Sequence, residues 1–276
     1  MNREALRLPL TAEKVSDGLV GPGLPWRRIE IVGETRSTNA DLLARAASGE
    51  DIDGVVLIAE HQSAGRGRLG RTWVAAPRAQ LAFSVGVDAS AVPTERWGWL
   101  TLATGIGVVD AVAKHTGVQV RLKWPNDVLA RGAKLAGILA EVASPAPVVV
   151  VGVGLNVTLS SEEAGQPTAT SLFDLGAEAP DRDRLANGLL VELSARIADW
   201  RAGEGAAAGL AADYHDRSAT IGMQVRVVMP GGDELTGTAV GVDDQGRLVI
   251  DSEGRTSTVS AGDVVHLRAV GDRNGV

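Results

Sequence analysis

The chain contains 276 residues, enough for one large domain, or for one domain followed by a small one, with a proper buried core. Its net charge of -7 argues against a general electrostatic affinity for nucleic acid or for anionic membranes. The absence of cysteine excludes disulfide bonds, thioester intermediates and cysteine-ligated metals, and with an N-terminus that lacks a secretory signal it favours a cytoplasmic location.

A mixed α/β domain is predicted over residues 27–217, after an N-terminal arm formed by residues 1–26. Short apolar runs indicate buried strands and are too short to cross a bilayer, whereas periodic apolar stretches that end near glycine indicate helices. Since several strands follow one another through short turns, the sheet is expected to be mixed or antiparallel. The strands are predicted at 27–32, 54–60, 81–88, 118–124, 127–130, 134–143 and 147–157, and the helices at 37–49, 95–117, 182–203 and about 206–217.

The pattern changes after residue 217. Short alternating strands, separated by the turns PGGD, DDQG and SEGR, fill residues 218–268. This alternation is typical of a small β-barrel. The final residues, 269–276, are predicted to form a loose tail.

A glycine–arginine loop follows the second predicted strand, where residues 65–70 read GRGRLG. The pattern G-x-G-x-x-G indicates a dinucleotide site only when a helix follows directly, and here Pro77 and another strand follow, so that interpretation is rejected. Arg66, Arg68 and Arg71 lie in a stretch without acidic residues, and the glycines let backbone amides approach an anion. We predict a loop that is disordered until an anionic ligand orders it; the alternative is a solvated surface loop.

A second group of polar residues lies in the stretch RLKWPNDVLARGAKLAGILAEV. Lys123 ends a predicted buried strand, Asn126 and Asp127 lie in the following turn, and Lys134 follows a predicted hairpin. A buried lysine requires a charge partner because its desolvation is otherwise costly. The partner is either a carboxylate, in an ion pair Lys123–Asp127 or Lys134–Glu141, or a ligand. Asp127 is also a candidate for binding Mg²⁺ beside a phosphate.

Four further features allow either a structural role or a ligand contact. The sequence STN at 37–39 begins a helix that Thr38 can cap, and capping accounts for only one of the three polar side chains. Asn156 either caps a turn or faces a ligand, Trp73 either joins the core or stacks on a ring, and Gly137 marks either a bulge or a close ligand approach.

These motifs, in this order, resemble those of the biotin protein ligases. The resemblance implies an α/β catalytic domain of the class II aminoacyl-tRNA synthetase and lipoate ligase type, followed by an SH3-like barrel. It also implies that biotin and ATP, with Mg²⁺, form biotinoyl-5′-AMP, and that the acyl group passes to a lysine of a biotin carboxyl carrier domain. The matching stretches are STN (37–39), GRGRLGRTW (65–73), KWPNDV (123–128), KLAGIL (134–139) and GVGLNV (152–157).

The resemblance also assigns the site residues. It implies biotin contacts from Ser37, Thr38, Asn39, Gln62, Arg66, Gly67, Arg68, Lys123 and Gly137. It implies nucleotide contacts from Arg68, Trp73, Asn126, Lys134 and Asn156. It places Lys123, Arg66, Arg68 and Asp127 at the reacting groups, with Asp127 as the candidate Mg²⁺ ligand.

About 26 residues precede the first predicted strand, too few for the helix-turn-helix domain of bifunctional members of that family. We therefore expect a ligase that does not bind DNA as a repressor. Two rival hypotheses stay open, a lipoate or octanoate ligase and a non-catalytic sensor of an adenylate. A homodimer with side-by-side sheets is compatible with the family, but the sequence does not fix the oligomeric state.

Overall fold

A seven-stranded mixed sheet forms the centre of the first domain in the computed structural model, which describes residues 2–145, 147–177, 180–229 and 231–267. The spatial order is β1-β2-β3-β7-β6-β5-β4. The pair β1–β2 is parallel and the other neighbouring pairs are antiparallel, which confirms the predicted sheet type. The strands are β1 (Arg28–Val32), β2 (Val55–Ala59), β3 (Gln80–Asp88), β4 (Arg121–Lys123), β5 (Asp127–Ala130), β6 (Ala133–Val142) and β7 (Val148–Asn156).

Helices pack on this sheet near the predicted positions. The long apolar helix α3 ends where Gly117 adopts a left-handed conformation (φ 70°), which glycine permits without a steric penalty. The cap of α2 differs from the prediction, because Ser37 rather than Thr38 precedes the first turn and its hydroxyl accepts from the amide of Ala40 (3.4 Å). The helices are α1 (Ala12–Ser16), α2 (Thr38–Ala47), α3 (Gly98–Thr116), α4 (Ser161–Ala164), α5 (Arg182–Arg201) and α6 (Glu204–Arg217).

The N-terminal segment is packed against the first domain. Val15, Leu19 and Trp26 are buried in the main apolar core, and the Trp26 indole donates to the carbonyl of Leu190 in α5 (3.2 Å). The proline and glycine content of this segment predicted an arm. That content does not reveal that a few apolar residues attach the segment to the core.

The C-terminal unit is a five-stranded antiparallel sheet in the order β11-β10-β9-β8-β12. Two tryptophans of the first domain hold it in place: Trp99 donates to the carbonyl of Asp243 (3.0 Å) and Trp124 to that of Gly246 (3.1 Å). The small sheet is thereby fixed beside the turn that follows β4. Its strands are β8 (Gln224–Val228), β9 (Glu234–Val242), β10 (Leu248–Ser252), β11 (Arg255–Val259) and β12 (Asp263–His266).

The predicted tail, 269–276, lies outside the described residues. Among the helices that the structure describes, none combines the length and the apolar character needed to cross a membrane.

Candidate functional site

One cavity of about 470 Å³ lies between the large sheet, the glycine–arginine loop and the C-terminal sheet. It is lined by every residue predicted for the site except Asn156. The predicted residues on its wall are Ser37, Thr38, Asn39, Gln62, Arg66, Gly67, Arg68, Trp73, Lys123, Asn126, Asp127, Lys134 and Gly137. Motifs that are far apart in the sequence therefore meet at one place.

A buried polar network forms the floor of the cavity at the start of α2. The Thr38 hydroxyl lies 2.6 Å from the Ser84 hydroxyl, which donates to Asn39 Oδ1 (2.6 Å). The Gln62 side-chain oxygen accepts from the Thr38 amide (2.8 Å). A Cβ at Gly152 would lie 3.0 Å from the Asn39 side-chain carbon, so glycine is required there. These contacts hold amide and hydroxyl groups in fixed positions beside the cavity.

The arginines of the loop have carboxylate partners that come from distant parts of the chain. Arg66 pairs with Glu141 of β6, whose other oxygen accepts from Asn39 Nδ2 (2.9 Å), and Arg71 pairs with Asp263 of β12. The sequence analysis predicted that the empty loop is disordered because its own stretch contains no acid. The structure contradicts the premise of that prediction, since tertiary contacts supply the missing charges.

Backbone contacts also shape the loop into a narrow hairpin. The Gly67 amide donates to the carbonyl of Arg71 (2.7 Å) and the Trp73 amide to that of Gly65 (2.8 Å). At its tip Leu69 has a positive φ of 54° and a largely exposed side chain. A non-glycine residue rarely adopts this conformation.

Arg68 is the loop arginine that points inward. Its Nη1 donates to Asn126 Oδ1 (3.1 Å), and Asn126 Nδ2 donates to the carbonyl of Ile138 (2.9 Å). Burial lowers the pKa of Arg68, although Asp263 and Asp127 act in the opposite direction. Arg68 remains a cation and is partly desolvated, which strengthens its attraction for an anion.

Lys123 has no carboxylate within 4.0 Å among the described residues, so the structure contradicts the alternative of an ion pair Lys123–Asp127. Instead, Lys134 Nζ lies 2.6 Å from Asp127 Oδ1, in a geometry that is not that of a directed hydrogen bond. The structure also contradicts the alternative of an ion pair Lys134–Glu141, because Glu141 binds Arg66. Lys123 is therefore a cation on the cavity wall that no described carboxylate neutralises directly.

The bulge between Val128 and Leu129 explains the partner of Asp127. In a regular hairpin the residue opposite Leu129 would be Leu135, and Lys134 would point to the other face. The shift in register pairs Leu129 with Lys134, which places Lys134 on the same face as Asp127.

Trp73 forms one wall of the cavity. Its indole nitrogen donates to Gln80 Oε1 (2.8 Å), and Lys134 Nζ lies 5.2 Å from the centre of its ring. A Cβ at Gly154 would lie 2.6 Å from Trp73 Cε2, so the ring requires glycine in the strand beneath it. Asn156 lies behind this wall, with Nδ2 donating to the carbonyl of Thr170 (2.9 Å). The structure thus gives Asn156 a supporting position, away from the cavity lining.

The carboxylates of the cavity provide too few ligands to hold a metal ion by themselves. Within the described ranges, no group of three or more histidine, aspartate or glutamate side chains is placed to hold a metal. Asp127 already has Lys134 as its partner. Mg²⁺ fits here only as an ion whose remaining ligands are phosphate oxygens and water, which is its common mode of binding.

Several lining residues were missed by the sequence analysis. Ser84 was also missed; it is buried behind the lining, where it contacts Thr38 and Asn39, and a polar residue in the apolar strand β3 was the visible signal for it. Asp263 lies 192 residues from its partner Arg71, and nothing in the local sequence connects them. Further lining residues that were missed are Thr72, Phe83, Gln166, Val264 and Val265.

Comparisons with known proteins agree with this site. Residues 33–157 match the family model described as "Biotin/lipoate A/B protein ligase family", and residues 220–267 match "Biotin protein ligase C terminal domain". The chain is 60% identical over 270 residues to the biotin--[acetyl-CoA-carboxylase] ligase of Mycobacterium tuberculosis, covering 97% of this chain and 99% of that protein.

More distant relatives show the same similarity. The bifunctional ligase/repressor of Escherichia coli is 34% identical over 223 residues, which covers 79% of this chain and 67% of that protein. The fold superposes on the biotin protein ligase from Aquifex aeolicus in complex with biotin and ATP, with a TM-score of 0.75 and 25% identity. That alignment covers 88% of this chain and 100% of the other.

Proposed function

Because the chain belongs to the biotin/lipoate A/B protein ligase family, we propose that it is a biotin–[acetyl-CoA-carboxylase] ligase. It activates biotin with ATP as biotinoyl-5′-AMP and transfers the acyl group to a lysine of a biotin carboxyl carrier domain. One observation carries this proposal: a single cavity combines a fixed polar floor with the loop arginines and with Lys123, a cation that has no carboxylate partner in the described part of the chain. Such a cavity suits a polar ring with an anionic tail.

The polar floor suits the ring of biotin. The ureido group of biotin has two N–H donors and one carbonyl acceptor. Thr38, Asn39 and Gln62 line the cavity with hydroxyl and amide groups of both kinds, which are held by one another and by the buried Ser84. A site with fixed polar groups rejects ligands that cannot satisfy them, which favours biotin over the apolar dithiolane of lipoate or the chain of octanoate.

In the first step, an oxygen of the biotin carboxylate attacks the α-phosphorus of ATP, and the bond to pyrophosphate breaks. Two anions must approach each other, so cations between them lower the barrier, and charge grows on the phosphoryl oxygens in the transition state. Lys123 and Arg68 are assigned this role because they have no ion-pair partner within the described residues.

The nucleotide is assigned to the wall formed by Trp73, Lys134 and Asn126. Trp73 offers an aromatic face, and Lys134 and Asn126 line the same side of the cavity. When bound, Mg²⁺ would neutralise phosphate charge beside Asp127. Asn156 supports Trp73 through Gln80.

In the second step, the amine of the carrier lysine attacks the carbonyl of the mixed anhydride, the bond to AMP breaks, and the amine loses a proton. Asp127 is assigned as the proton acceptor because it is a carboxylate on the wall beside the assigned nucleotide site. Arg66 and Gly67 cover the cavity as part of the loop, which restricts water and so protects an acyl-adenylate from hydrolysis.

The experiment measures two products with the full chain. Pyrophosphate release on addition of biotin and ATP reports activation, and streptavidin blotting of a biotin carboxyl carrier domain reports transfer. Activation with lipoate or octanoate instead of biotin would favour the rival ligases. Binding of both substrates without pyrophosphate release would favour a sensor and would contradict the proposal.

A further inference from the structure

The wall segment, which we define as residues 157–177 between β7 and α5, has no role in the assignments above. It borders the nucleotide side of the cavity, where Gln166 is part of the lining. It also holds Lys134 through two backbone hydrogen bonds, from the Lys134 amide to the carbonyl of Thr168 (2.7 Å) and from the Thr170 amide to the carbonyl of Lys134 (2.9 Å). The position of Lys134 therefore depends on the position of this segment.

The wall segment has little regular structure of its own. Its helix α4 has four residues, none of them buried, and a helix this short is not stable in isolation. Ser160 and Glu163 form a capping box at its start. Contacts with the rest of the protein must therefore keep the outer side of the segment in place.

Besides the backbone bonds of Val157 and Thr158 to the Ala79 carbonyl, Arg7 provides such contacts from the N-terminal segment. Its Nη1 and Nη2 donate to the two oxygens of Glu163 (2.9 and 2.7 Å). Its Nε donates to the Thr158 hydroxyl (3.1 Å), and Nη2 also donates to the Thr158 carbonyl (3.1 Å). The Arg7 side chain is 11% exposed, and its hydrogen bonds, together with those of Ser160, lower the pKa of Glu163 to about 2. A bidentate, partly desolvated arginine–carboxylate pair of this kind gives strong and directional binding.

Arg3 adds a second connection beside the first. It donates to the carbonyl of Thr158 (3.0 Å) and to Asp174 Oδ1 (2.9 Å), and its guanidinium lies 5.0 Å from the centre of the Phe173 ring. Both ends of the wall segment are thus attached to the first residues of the chain.

The N-terminal segment is itself firmly attached to the domain. The Leu10 amide donates to Glu60 (2.5 Å) and the Thr11 amide to Asp183 (2.7 Å). Glu60 also binds Arg182 in a buried ion pair (2.7 Å). Arg7 therefore connects the wall segment to a rigid part of the molecule.

We propose that Arg7, assisted by Arg3, is a positioning residue for ATP, because it fixes the wall segment that in turn holds Lys134 at the nucleotide side of the cavity. This inference rests on the proposed function for its kinetic part. The biotin floor has no contact with Arg7 or Arg3 among the described residues, so nucleotide binding should change while biotin binding does not.

The test compares Arg7→Met with Arg45→Met in the full chain. Arg45 is a matched control because it also binds one carboxylate through both nitrogens, Glu30 at 2.9 Å, but lies in α2 away from the wall segment. We expect Arg7→Met to raise the KM for ATP about 5- to 20-fold with little change in kcat or in biotin affinity. Arg45→Met should leave all three values unchanged. Arg7→Lys should recover only part of the loss, because lysine lacks the planar fork.

Hydrogen exchange of the protein without ligands gives a second readout that does not depend on catalysis. Arg7→Met should increase exchange at amides of the wall segment, including Thr170, and Arg45→Met should not. Glu163→Gln tests the same pair from the other side and serves if Arg7→Met does not fold. Unchanged exchange together with an unchanged KM for ATP would overturn the inference. If the wild-type protein released no pyrophosphate, the proposed function would fail, and the exchange result would still decide whether Arg7 fixes the wall segment.

Discussion

Replacing Lys123 with methionine tests the central electrostatic assignment. The substitution keeps most of the length of the side chain and removes its charge. Two unit charges 4 Å apart interact by about 4 kcal/mol at an effective dielectric constant of about 20. Removal of one donor to a developing oxyanion typically costs about 2.7–4 kcal/mol. Since no carboxylate lies within 4.0 Å of Lys123 among the described residues, we expect a loss of this size, or about 100- to 1,000-fold in the rate of pyrophosphate release.

The same variant should fold normally. Lys123 has no ion pair to lose among the described residues, so the melting temperature should stay the same or rise slightly. The pKa of His266 offers an independent check, since burial lowers it and the charge of Lys123 lowers it further. NMR titration should therefore show a higher His266 pKa in Lys123→Met.

Lys114→Met is the matched control, because Lys114 is an exposed lysine of α3 that pairs with Glu192 (2.9 Å) far from the cavity lining. It should release pyrophosphate at the wild-type rate. Wild-type pyrophosphate release by Lys123→Met, with biotin and ATP both bound, would refute the reasoning.

Three further predictions concern the ring wall, acid stability and DNA. Gly154→Ala places a methyl group 2.6 Å from Trp73 Cε2, so the ring must move. Calorimetry should show an ATP affinity at least about tenfold weaker than that of the wild type, with the biotin affinity less affected. An ATP affinity equal to that of the wild type would show that the ring does not contact the nucleotide. Because the pKa of Glu163 falls to about 2 from its ordinary 4.5, its ion pair stabilises the fold fully above about pH 4.5 and this contribution is lost as the pH falls toward 2. Urea unfolding at pH 5 and pH 3 should therefore show a smaller loss for Glu163→Gln than for the wild type, and parallel losses would contradict the assignment. A chain with net charge -7 should show no tight, sequence-specific DNA binding by fluorescence polarisation at low salt, and such binding would reveal a repressor.

Local patterns in the sequence predicted much of the fold. Apolar runs between turns identified the seven strands of the large sheet, because burial on both faces requires continuous apolar sequence. Short runs in which apolar and polar residues alternate identified the strands of the C-terminal sheet. Helices α1 and α4 were missed because each is too short to show a helical period.

The motifs also indicated which residues form the site, but not how those residues are paired. Arg66, Arg68 and Lys123 were recognised as cations that need partners, since charge and glycine content are local properties. Their actual environment depends on tertiary contacts: Glu141 neutralises Arg66, whereas none of the described carboxylates lies within 4.0 Å of Lys123. The bulge between β5 and β6, whose extra residue is Leu135 of β6, turns Lys134 toward Asp127 and has no local signature either.

The sequence by itself determined the strands and the long helices, the position of the loop and the chemical character of the cavity, because periodicity and residue type act over a few neighbouring positions. Only the tertiary structure decided that Asp263 reaches Arg71 across 192 residues and that Arg7 reaches Glu163 across 156. Such contacts depend on the register of the strands and on how the two sheets pack. Many different sequences of the intervening chain would allow the same long-range contacts, so the residues near either partner cannot reveal such a contact.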